Sequence, residues 1–175
     1  KAVANYADII VFGIGINPII PTEEQIDGLR NTLNGELYND DTVLLSNVGD
    51  LSTESNKVSV HFPAFLENFI NATAVDKDMN VPETACIGDR DDFALPGVDI
   101  KVASNTSNTG YTTVSGTRYA LGYLAAAYAN VKAELRAKDP ESQTEDFVNV
   151  LKENTIDLGE EGKDNIYGYG YIDFN

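Results

Sequence analysis

Few side chains in this 175-residue chain have the type and setting to do chemistry. There is one histidine, His61, and one cysteine, Cys86. A lone cysteine forms no internal disulfide and is usually a small buried hydrophobe. The acidic group Asp89-Arg90-Asp91-Asp92 offers carboxylates. A calcium ion takes about six to eight oxygens in defined geometry. Four residues that include an arginine fall short of that, so a solvated loop with no metal is expected. Gly13-Ile14-Gly15 has the opening of a dinucleotide-binding loop, but the third glycine of that pattern falls on Pro18. Asn71-Ala72-Thr73 and Asn105-Thr106-Ser107 match the glycosylation pattern by composition alone, and the first lies in an expected buried strand. The most organised stretch is Val114-Ser115-Gly116-Thr117-Arg118-Tyr119-Ala120, which runs into Leu121 to Ala127. Its small residues allow a tight backbone approach, and the run that follows predicts a long helix buried on most sides.

Other elements must position these groups. Hydrophobic residues make up 42% of the chain, enough for one domain over residues 1–175 with a sizeable core. The formal net charge of -16 argues against nucleic acid and anionic membranes as partners. The longest apolar runs, such as Ile9 to Ile14, are too short to span a bilayer. Lys1 is not a natural start, so the chain reads as a piece of something longer.

Asp8 to Ile14 is a continuous β-branched run, expected as a strand buried on both faces of a parallel sheet. Thr22-Glu23-Glu24-Gln25 is a capping box, and Ile26, Leu29, Leu33 and Leu37 form the stripe of the helix it opens. Thr42 to Ser46 and Phe69 to Asp76 are further strands. Leu95 to Val102 is a turn and a fourth, and Tyr111 to Val114 a short fifth. The long helix spans about Thr117 to Lys138. Ser142-Gln143-Thr144-Glu145 is a second capping box, opening a last helix to about Asn154. This order predicts an α/β fold with a parallel sheet flanked by helices.

Six segments in this order resemble the subtilisin-like serine peptidases (subtilases). They are Asp8 to Gly15; Ser46-Asn47-Val48-Gly49; Phe62-Pro63-Ala64 with Ala72-Thr73-Ala74-Val75-Asp76; Leu95-Pro96-Gly97-Val98-Asp99-Ile100; Gly116-Thr117-Arg118-Tyr119-Ala120; and Tyr167-Gly168-Tyr169-Gly170-Tyr171-Ile172-Asp173. The resemblance implies a subtilisin-like fold. It implies that Gly13, Ile14 and Gly15 line a substrate groove with Gly116 and Thr117, and that Asn47 is the oxyanion-hole amide. The family's nucleophilic serine falls on Arg118, and its Pro and His just beyond fall on Gly122 and Tyr123. Its Asp and His motifs lie upstream of residue 1, and His61 sits on a segment with no catalytic role.

Arginine is permanently charged and has no lone pair to offer a carbonyl. The expectation is therefore a catalytically inactive domain, a pseudopeptidase that binds protein or peptide. The alternative is a fragment of a subtilisin-like endopeptidase whose Asp and His lie on a missing segment. With no nucleophile to serve, Asn47 is expected to cap its own turn. A cation near a helix N-terminus is disfavoured by about 0.3–1 kcal/mol. Arg118 should therefore meet a carboxylate or a bound anionic chain end, or extend into solvent. The first strand should leave an apolar edge open, to be covered by a companion N-terminal segment or a second chain. The resemblance further implies an extracellular or cell-surface bacterial setting and, in some members, calcium.

Overall fold

The computed structural model describes residues 7–14, 22–32, 42–50 and 60–174. Gly15, Leu33, Leu37 and the segment before residue 7 lie outside the described residues. In chain order the elements are β1 (Ile9–Phe12), α1 (Glu23–Thr32), β2 (Val43–Asn47), β3 (Phe69–Val75), β4 (Phe93–Pro96), β5 (Ile100–Ala103), β6 (Tyr111–Val114), α2 (Thr117–Lys138), α3 (Thr144–Glu153), β7 (Thr155–Ile156) and β8 (Tyr171–Ile172). The main sheet has the order β1-β2-β3-β4-β8-β7. Every pairing in it is parallel except that of the short β7 with β8. The expected α/β architecture is therefore present, with one antiparallel edge.

Alternation along the strands splits the core between the two sheet faces. Val43 and Leu45 of β2, Ala72 of β3, and Phe93 and Leu95 of β4 pack with Leu121, Leu124, Tyr128 and Phe147 of α2 and α3. Leu44 and Phe69 point the other way, into a cluster with Leu66, Phe62 and Ile26 of α1. Burial of each large side chain contributes about 1.5–3 kcal/mol relative to exposure. The first capping box forms as expected: the Thr22 amide donates to Gln25 Oε1 at 2.9 Å, and the Gln25 amide donates to Thr22 Oγ1 at 3.3 Å.

Four expectations need correction. β1 is not buried on both faces. It is the edge strand of the described sheet, and Val11 is 45% exposed. The stretch from Leu95 to Val102 is two strands. β4 ends at Pro96 in the main sheet, and Asp99, at φ 56°, turns the chain into β5, which pairs only with β6 as an antiparallel hairpin. The second capping box is one residue later than expected. Gln143 is the N-cap, and its amide donates to Asp146 Oδ2 at 2.8 Å, while the Ser142 hydroxyl turns back to the Asp139 carbonyl at 2.8 Å.

Last, α2 has the expected bounds but is buried along one face only. Thr117, Ala120, Leu121, Leu124, Ala127 and Tyr128 are buried, whereas Gly122, Ala126, Ala129 and Ala133 on the opposite side are exposed. Small residues there imply a closely packed neighbour to the sequence reader, but among the described residues none covers them. No helix of the described residues is long and apolar enough to cross a membrane.

Candidate functional site

The candidate site lies at the carboxyl ends of the parallel strands, where open α/β sheets place their ligand crevices. Asn47 ends β2, Gly97 follows β4, and Gly116-Thr117-Arg118 opens α2. The Gly116 amide donates to the Gly97 carbonyl at 2.8 Å, which docks the head of the helix on the end of β4. Gly97 permits this because a Cβ there would stand 2.4 Å from the Ala74 Cβ.

Around that junction the structure joins residues far apart in sequence. The Asn47 side chain is buried, and its Nδ2 donates to Thr117 Oγ1 at 2.9 Å. It therefore does not cap its own turn, as the sequence reading expected. Asp50 accepts the Thr117 backbone amide on Oδ1 at 2.9 Å and the Thr117 hydroxyl on Oδ2 at 3.2 Å. A carboxylate at this position favours the positive end of the helix by about 0.3–1 kcal/mol or more. Asp50 carries no sequence signal of this role. Its partner lies 67 residues away, so no local pattern betrays it.

Arg118 is exposed, and among the described residues it has no carboxylate at ion-pair distance. No carboxylate of the described residues meets that side chain, and the helix charge is met by Asp50 on the neighbouring residue. Gly13 is exposed, and a Cβ built on it would meet Leu121 Cδ1 at 3.8 Å, one helical turn beyond Arg118. Ile14 is 60% exposed. The structure thus brings Asn47, Gly116 and Thr117 into direct association and leaves Gly13 and Ile14 open beside them. Gly15 falls outside the described residues.

Two further titratable groups are buried near this junction. His61 is buried, and its ring occupies the space beside Gly49, where a Cβ would stand 2.3 Å from Nδ1. Burial lowers its pKa, with Asp50 opposing, so the ring is held neutral. Burial pushes the Cys86 thiol up to about 12, helped by Asp50 and Asp91.

The acidic loop is not simply solvated, contrary to expectation. Asp91 is fully buried with neither carboxyl oxygen hydrogen-bonded, and its pKa is pushed up to about 9, chiefly by burial and then by Asp92. Asp92 Oδ1 takes Lys163 Nζ at 2.9 Å, and Oδ2 takes the Asn71 amide at 2.9 Å. Among the described residues no group of three His, Cys, Asp or Glu is placed to hold a metal. Asn71 is no glycan site either. It is buried, and its Nδ2 donates to the carbonyls of Ala64 and Arg90, both at 2.9 Å.

This arrangement can hold an extended chain on exposed backbone beside β1. It has no hydroxyl–imidazole pair among the described residues: the Thr117 hydroxyl is buried, accepting from Asn47 and donating to Asp50. Known proteins share the frame. A family model described as the subtilase family matches residues 5–170. The minor extracellular protease Epr of Bacillus subtilis (strain 168) is 27% identical over 173 residues, which is 99% of this chain and 24% of Epr. A crystal structure of a lanthipeptide protease superposes with a TM-score of 0.78 at 20% identity, covering 98% of this chain and 60% of that one. The prenylagaramide maturation protease PagA gives a TM-score of 0.74 at 20% identity, covering 98% of this chain and 61% of its own. The chain thus spans about a quarter of Epr and about three fifths of the two solved chains.

Proposed function

This chain belongs to the subtilase family, and from that premise we propose that it is a pseudopeptidase: a subtilisin-like domain that binds protein or peptide and does not hydrolyse it. The observation that carries the reading is Arg118, exposed at the head of α2, where the resemblance puts the nucleophilic serine. A guanidinium has no lone pair with which to attack a carbonyl. Binding needs less than catalysis does. Exposed Gly13 and Ile14, at the end of edge strand β1, offer an extended peptide the hydrogen bonds of an added strand, whereas Gly116 and Thr117 are buried at the head of α2. Partners are protein or peptide. The net charge of -16 supports leaving nucleic acid and anionic membranes aside, and the reading requires no cofactor.

The test uses this chain as expressed and an unstructured generic peptide library. The expected result is saturable peptide binding by calorimetry with no hydrolysis by mass spectrometry. Hydrolysis by the parent would overturn the reading, as would no binding at any reachable concentration.

A second reading has its own support in the similarity to Epr across 173 residues. On that view the chain is part of a subtilisin-like endopeptidase whose Asp and His lie on a segment outside residues 1–175. It expects Arg118→Ser, joined to that segment, to hydrolyse peptides; a folded product inert both with Asp50 and with Asp50→Ala would sink it. Epr is named as an extracellular protease, and that supports an extracellular or cell-surface setting on either view.

A further inference from the structure

We propose that Asp50 is a lock on this site, a second disabling feature that acts independently of Arg118; the inference rests on the pseudopeptidase reading and deepens it. The hydrogen bonds have only one consistent direction. Asn47 Nδ2 can only donate, so the Thr117 hydroxyl accepts from it at 2.9 Å. That hydroxyl has one proton, which goes to Asp50 Oδ2 at 3.2 Å. Asp50 Oδ1 takes the Thr117 backbone amide at 2.9 Å. The chain Asn47–Thr117–Asp50 is closed, and Asn47 and Thr117 are both buried within it.

Two consequences follow from the chemistry. An oxyanion hole works through a donor held free for the developing charge. Here an Asn47 amide proton is spent on Thr117. The start of a helix attracts anions through its free amides and dipole, and here a side chain of the same molecule already fills that role. Gly116 is part of the device. It has φ 146°, and a Cβ on it would stand 3.0 Å from Asp50 Oδ2, so glycine lets the carboxylate reach the helix end. A serine restored at position 118 would therefore face a helix end already filled by Asp50 and an Asn47 amide with one of its two protons engaged.

NMR of the intact chain tests this, with acetate as the probe anion. The resonances read are the Thr117 backbone amide and the Asn47 side-chain amide in the parent, Asp50→Ala and Asp50→Asn. In the parent, acetate should leave the Thr117 amide unmoved. In Asp50→Ala the same titration should shift that amide saturably, because the helix end is vacated. Asp50→Asn keeps one acceptor for the Thr117 amide but only one, so thermal stability should be largely retained while the Asn47 side-chain resonances move. A residue that merely capped the helix would leave those resonances in place.

The proposal is overturned if the parent amide titrates with acetate as strongly as that of Asp50→Ala, or if Asp50→Asn leaves Asn47 unmoved. Should Asp50→Ala fail to fold, the Asp50→Asn readout decides alone. None of these signals depends on peptide binding, so a parent that binds no peptide removes the pseudopeptidase reading and leaves the lock standing or falling on its own data.

Discussion

At Cys86 the burial of one sulfur decides its chemistry. The thiol is enclosed with Val48 and Val60, and its pKa is pushed up to about 12. Thiolate is the reactive form, so the native chain should resist a maleimide reagent at neutral pH while the unfolded chain labels fully, as read by intact mass. Rapid labelling of the folded chain would contradict the burial argument. Asp91 makes a second, pH-dependent case. Its folded pKa of about 9 stands above the ordinary 3.8, so the folded state holds a proton that the unfolded state releases. Stability must therefore fall as pH rises from the ordinary carboxylate range to about 9, and level off above it. Asp91→Asn removes that titration while keeping the shape. The variant should be more stable than the parent at pH 8, on the order of a few kcal/mol, with a flatter pH profile in thermal melts. A parent profile that rises over the same window would refute the assignment.

Among the elements, the terminal turn is the most constrained by packing. Gly168, at φ 65°, would place a Cβ 2.4 Å from the Asp92 carbonyl carbon. The Tyr169 amide donates to the Asp92 carbonyl at 2.8 Å, and the Ala94 amide to the Gly170 carbonyl at 2.9 Å, which fastens the tail to β4. Gly168→Ala must move backbone, beyond the roughly 1–2 kcal/mol cost of the left-handed conformation itself. A loss of at least about 2 kcal/mol is expected in urea unfolding. A variant within error of the parent would show that this turn relaxes freely. α2 teaches the converse lesson. Its sheet-facing residues are held, and its outer Gly and Ala face is bare among the described residues.

At the scale of the molecule, the open edge at β1 and the bare face of α2, as seen among the described residues, have the same physical meaning. An edge strand with an exposed Val11, leading to an exposed Ile14, invites pairing with another strand. A companion N-terminal segment or a second chain is the expected cover. Hydrogen exchange should find the β1 amides Ile9 to Phe12 well protected where such a cover is present and faster by roughly tenfold or more where it is lacking, since lost pairing of about 1.4 kcal/mol is a factor of ten. Equal exchange in a stable, soluble monomer would rule the cover out. The -16 charge keeps identical copies apart at low salt, so a dimer, if it forms, should strengthen as salt is raised.

By itself the amino-acid sequence determined the order of β1 to β3 and the three helices, the parallel sheet, the full length of α2 and the Thr22–Gln25 cap, because apolar periodicity and capping chemistry act within a few residues of the chain, but it merged β4 with β5 and missed the two-residue strands β7 and β8. The six motif segments carried the family, and the type of residue at position 118 was plain to read. Tertiary structure alone decided what each side chain meets. It put Asp50 under Thr117, turned the Asn47 amide across to the helix head, and sealed Asp91 inside a loop that composition marks as wet. It also left bare a helix face and a strand whose sequences read as buried. Burial and long-range hydrogen bonding depend on segments tens of residues apart meeting in space, and local pattern holds no record of those meetings.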